Sequence, residues 1–113
     1  MIETIIRNYL AEKLKPTPVT MEKPSGNPKK YVLVEKTGSS IENRIWKASI
    51  AIQSYDESLY KAAMLNEQVI AAMYDITALD NVSKCDLDSD YNFTNTTTKE
   101  YRYQAVFDIT YNE

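Results

Sequence analysis

Histidine is absent from this chain, and with it the commonest general base and the commonest neutral metal ligand. A single cysteine, Cys85, excludes an intrachain disulfide framework and any multi-cysteine metal site. Glycine occurs only at Gly26 and Gly38, and neither opens a helix after a strand, so there is no phosphate-cradling loop. No apolar run approaches the roughly 18 residues that a membrane-spanning helix needs. Met1-Ile2-Glu3-Thr4-Ile5-Ile6-Arg7 has no basic start, apolar stretch or small-residue cleavage site of a secretory leader, so the expected place of synthesis is the cytosol. The Asn-x-Ser/Thr triplets at Asn81, Asn92 and Asn95 then carry no meaning. Basic residues number 13 against 16 acidic ones, a net charge of −3, the wrong sign for a dedicated nucleic-acid-binding domain.

What is present is periodicity. The 113 residues suit one domain, 1–113, able to bury roughly 65% of its unfolded surface. Ile2, Ile5, Ile6, Tyr9 and Leu10 trace one stripe of a helix that Pro16 ends. Val19-Thr20-Met21 alternates as a short strand, placed at a sheet edge by Pro18. Residues 23–30 are turn chemistry, and Tyr31-Val32-Leu33-Val34 reads as a strand buried on both faces. Residues 35–43 read as a polar connection, a hairpin with a long tip. The strand that follows puts Trp46, Ala48, Ile50 and Ile52 on one face. Ser54-Tyr55-Asp56-Glu57 fits a capping box, opening a helix of about 20 residues and roughly 30 Å that ends near Thr77. Its stripe is Leu59, Ala62, Ala63, Val69, Ile70, Met73 and Ile76.

Two strands close the chain. In 82–93 the alternation puts Cys85, Leu87, Tyr91 and Phe93 on one face and Asp86, Asp88, Asp90 and Asn92 on the other. In 101–111 it puts Tyr101, Tyr103, Ala105, Phe107, Ile109 and Tyr111 on one face, with Val106 the only apolar residue opposite. The expected fold is α+β: a mixed or antiparallel sheet of four to five strands packed by two helices, in the order α-β-β-β-α-β-β.

None of the candidate constellations forms a reactive set. Asp86, Asp88 and Asp90 fail as a calcium loop, because Tyr91 stands where glycine is needed and Thr97 where the bidentate glutamate is needed. At period two they read as the wet face of a strand. Cys85 sits on the apolar face of its strand, a buried thiol and not a nucleophile. Asp56, Glu57, Asp75 and Asp80 fall at helix ends, where capping and the helix dipole explain them. The expectation is no enzyme, no cofactor and no metal. Function then lies in surfaces. Lys23, Lys29, Lys30, Lys36 and Arg44 gather at loops flanking the Tyr31 strand, and nine tyrosines favour a protein–protein interface. The candidate interface residues are Lys29, Lys30, Lys36, Ser39, Ser40, Arg44, Asp86, Asp88, Asp90 and Arg102.

The layout also resembles a known family. A short helix stops at a proline turn, and Val19-Thr20-Met21-Glu22 leads through a proline-rich loop to Lys30-Tyr31-Val32-Leu33-Val34-Glu35. An Asn43-Arg44 pair opens Trp46-Lys47-Ala48-Ser49-Ile50-Ala51-Ile52-Gln53-Ser54-Tyr55, which feeds an Ala-rich helix. Together these resemble the tail-terminator, or tail-completion, proteins of long-tailed bacteriophages and prophages. The resemblance implies a hexameric ring that caps the tail tube, ends its polymerisation and joins tail to head. It also implies as partners further copies of itself, the major tail tube protein and a head-completion or stopper protein, with DNA passing the lumen and no membrane. The expected location is the tail–neck junction of the virion, and the host cytoplasm during assembly. Other expectations are another neck ring protein, such as a head-completion or stopper protein, and a small ligand-binding regulatory domain.

Overall fold

Apolar residues spaced three to four apart make Ile2–Lys13 a helix, α1, which buries Ile2, Ile6 and Leu10 along one line. Leu14 caps it, and Pro16, joined by a cis peptide, offers no amide hydrogen to prolong it. The strands are Val19–Thr20 (β1), Tyr31–Glu42 (β2), Ile45–Tyr55 (β3), Val82–Asn92 (β4) and Arg102–Tyr111 (β5). A second helix, Leu59–Tyr74 (α2), and a 3-10 turn, Ile76–Ala78, join β3 to β4. The computed structural model describes residues 1–112; Glu113, the last residue of the expected domain, lies outside the described residues.

The strands form one sheet in the order β1-β2-β3-β5-β4, with β1 parallel to β2 and every other pair antiparallel. β3 and β4 therefore run parallel, joined by α2, with β5 inserted between them. The fold is α+β with a five-stranded mixed sheet and two helices, in the order read from the sequence. β1 is the edge strand that Pro18 requires: the Pro18 carbonyl accepts from the Val32 amide at 2.9 Å.

Register fixes what each face carries. Val32, Val34, Ile50, Ile52, Ala105, Phe107 and Ile109 share one face and form a single cluster with Ile6, Leu10, Leu65, Val69 and Met73 of the helices. α1 packs on β1 and β2, α2 on β3, β5 and β4, and the helices touch each other, so they cover the same face. Each fully buried aliphatic side chain there contributes about 1.5–3 kcal/mol. Among the described residues, no helix covers the opposite face. The molecule measures 44 × 25 × 24 Å.

Three expectations are corrected. Ser54 does not cap α2: it is fully buried inside β3, paired with Val32 and Tyr103, and its Oγ has no hydrogen-bond partner. Two-sided pairing holds the backbone extended through Tyr55, and Ser58 caps instead, accepting from the Lys61 amide at 3.1 Å. The helix therefore has 16 residues, roughly 24 Å, and Leu59 is left exposed.

Residues 35–43 are not a loop. β2 runs to Glu42, and the turn is Asn43-Arg44 alone, with φ of 52° and 66°. Two positive φ angles define the tight hairpin turn whose twist matches that of the strands.

The third correction concerns β4. A register shift between Leu87 and Ser89 puts two residues opposite one. Asp86 lies across from Asp108 on the bare face, whereas Asp90 lies across from Ala105 on the helical face. Asp86, Asp88 and Asp90 therefore do not share one wet face, and Tyr91 turns to the bare side, opposite Gln104.

Candidate functional site

The bare face of the sheet divides into two halves. At the Tyr31 end it is aromatic and nearly closed to water: Tyr31 and Tyr55 stack with ring centroids 4.3 Å apart and are 5% and 6% exposed. Burial pushes the Tyr31 hydroxyl up to about 12, with the Tyr55 and Glu100 charges adding to the shift. A polarised chain of hydrogen bonds starts beside this stack. Arg102 Nη1 donates to Tyr55 Oη at 2.9 Å, Tyr55 donates to Gln53 Oε1 at 2.6 Å, and Gln53 Nε2 donates to Gln104 Oε1 at 2.9 Å. Gln104 Nε2 then donates to Tyr91 Oη.

Each bond points away from the fixed charge of Arg102, so each polarises the next. The guanidinium is itself held, donating from Nε to the Phe93 carbonyl at 2.7 Å and lying 4.4 Å from the Phe93 ring centroid. The chain crosses β5, β3 and β4, and leaves Gln53 and Gln104 buried without a covering helix.

At the hairpin end the same face is charged. Ser39, Ser40, Lys47, Lys84, Asp86 and Asp108 line a shallow hollow of about 530 Å³. Asp86 and Asp108 are direct cross-strand partners, and Lys84 lies 3.4 Å from Asp86. Beside the aromatic end a second hollow, of about 380 Å³, carries charges of opposite sign, Lys23, Lys29 and Lys99 with Asp56, Glu57 and Glu100.

The structure brings together only part of the expected interface set. Ser39, Ser40 and Asp86 line one hollow. Lys29 lines another, and Lys30 faces α2. Lys36 lies 3.8 Å from Glu3 of α1, and Arg44 forms the hairpin tip. Asp88 is the extra residue of the bulge, and Asp90 accepts from Asn66 Nδ2 at 2.9 Å. Arg102 anchors the relay. The Arg102 neighbours Tyr55 and Phe93, the stacked Tyr31, and the relay residues Gln53, Gln104 and Tyr91 were not singled out from sequence as site residues. Their one signal is that Gln53 stands two residues before Tyr55 and Gln104 two residues after Arg102, which reads as a wet face until pairing aligns them.

Burial pushes the Cys85 thiol up to about 11, helped by the Asp86 charge, which disfavours the nucleophilic thiolate. Among the described residues no three His, Cys, Asp or Glu side chains are grouped to hold a metal ion. No helix among the described residues is long and apolar enough to cross a membrane. In comparison with known proteins, no family model matches the chain, and no curated protein matches it either.

Proposed function

We propose that this chain is a structural subunit that closes into a homo-oligomeric ring, a hexamer of the phage tail-terminator type. In this reading it caps the tail tube, stops tube growth and joins the tail to the head through a stopper protein. Its work is recognition of protein surfaces, with no chemical step and no cofactor.

The observation that carries this reading is the bare sheet face. Its side chains are locked by the Arg102–Tyr55–Gln53–Gln104–Tyr91 relay although, among the described residues, no helix covers them. A surface rigid before contact loses little side-chain entropy on docking, which favours assembly. Exposed apolar residues support the same reading. Ile41 and Ile45 at the hairpin tip are 52% and 51% exposed, and Tyr60 and Tyr74 on α2 are 73% and 75% exposed. They are spread around the molecule, as a subunit with neighbours on several sides requires. The family resemblance of the element order and of the strand sequences points the same way.

The test is absolute mass by light scattering over a concentration series, with negative-stain images, followed by mixing with purified tail tubes. A closed ring near six subunits that halts tube elongation is the expected result. A protein that stays monomeric at every concentration and leaves tube length unchanged would sink the reading.

A further inference from the structure

Charge is segregated between two sides of the molecule. Along α2 runs a groove of two adjoining hollows, about 520 and 400 Å³, that share Lys30 and Gln68. The larger has an apolar floor of Leu14, Pro16, Ala71 and Ala72. Lys13, Lys15 and Lys30 stand around it, with no carboxylate among its described lining, whereas the smaller hollow carries Asp56 and Glu57 beside Lys30 and Lys61. Lys13 lies over the Tyr9 ring, and Lys15 pairs with Glu12 where both side chains are exposed, a contact worth little.

The opposite side is the inverse. β4 ends the strand order, and its outer edge is unpaired among the described residues. Asp86, Asp88 and Asp90 fall along it against a single cation, Lys84. Leu87, 40% exposed, lies across from Phe107 and so faces the helical side, away from Asp86.

We infer that the edge of β4 of one copy docks in the Lys13–Lys15–Lys30 groove of a second copy, with the bare-face Asp86 and the bulged Asp88 facing the lysines. Charge complementarity selects this occupant. A symmetric β4–β4 pairing would set like charges against each other. The groove is built from α2 and from residues flanking β1 and the start of β2, and no residue of β4 lines it. The two patches do not overlap, so each copy offers one and receives the other, a heterologous contact that can close into a ring. This names the subunit contact of the ring proposed above and rests on that reading.

Two variants test it, one with Lys15→Glu and Lys30→Glu, the other with Asp86→Lys and Asp88→Lys. All four side chains are exposed, and a lysine at 86 would relieve the Asp86–Asp108 opposition, so unchanged circular dichroism and melting are expected. Each variant alone should lose association by about 100-fold or more, two decades of affinity. Mixed one to one, the two variants should assemble again, because every groove then meets a β4 of opposite charge.

Variants that assemble like the wild type, or a mixture that stays dissociated, would overturn this contact while leaving the ring reading intact. A wild-type chain that never self-associates would overturn both. If the Lys variants instead lose binding of a single-stranded oligonucleotide while subunit mass is unchanged, the groove serves nucleic acid and the inference falls.

Discussion

One sheet carries two differently built faces. Under the helices Ile50, Ile52, Val32 and Ala105 are fully buried, and what holds them is the removal of apolar surface from water, which has no direction. On the bare face Gln53 and Gln104 are 8% and 9% exposed, and what holds them is a chain of directed bonds from Arg102. The covered face can exchange one aliphatic for another at modest cost. The bare face cannot, because each partner's donor and acceptor are already assigned. A surface of the second kind keeps its shape without a covering helix, and the proposed recognition role rests on that difference.

The largest expected contrast comes from the covered side. Ile52→Ala should destabilise by about 3 kcal/mol, from lost transfer energy and an unfilled cavity, read by urea denaturation. On the bare side, Gln104→Ala should cost about 1–2 kcal/mol, because it strands the Gln53 amide and the Tyr91 hydroxyl. Adding Gln53→Ala should cost less than the sum of the single changes, since the two share one bond. Additive costs would show that no relay exists.

At the hairpin tip, outside both faces, Arg44 holds a φ of 66°. Arg44→Gly should raise stability by about 0.5–1 kcal/mol, because glycine adopts that conformation without strain. A loss would show that the Arg44 side chain does more than turn the chain.

The smallest effect is a pH dependence. Above its ordinary value of 9.0 an unfolded Cys85 thiol loses its proton, whereas the folded one keeps it to about 11. The unfolded state then binds fewer protons, so this contribution to stability is flat below about 9 and falls as pH rises toward 11. Urea midpoints of the wild type should drop across that window more than those of Cys85→Ser. Parallel curves would show that the thiol is not shielded.

Local pattern made much of this fold legible. The helix ending before Pro16, the edge placement of β1 and the buried face of β5 follow from residues within one element. The misreadings fall where a residue obeys a distant partner. Ser54 and Glu57 fit a helix start, yet pairing with Val32 and Tyr103 claims Ser54 for the sheet. Residues 35–42 are polar and read as loop, yet β3 offers them a ladder through Ile45. Of the candidate interface residues, the sequence exposed Arg102 but not the aromatic and amide groups around it, most of which come from β2, β3 and β4.

By itself, then, the sequence determined which segments are helical or extended and which face of most of them is apolar, because periods of 3.6 and 2 are written in consecutive residues. It also set the absence of histidine and the scarcity of thiols. Only the tertiary structure decided that Asn43-Arg44 is the turn, that a bulge sends Asp90 to the helical side, and that two glutamines complete a relay. Each of those depends on register, and register is settled by which strand lies alongside, not by the residues next in line.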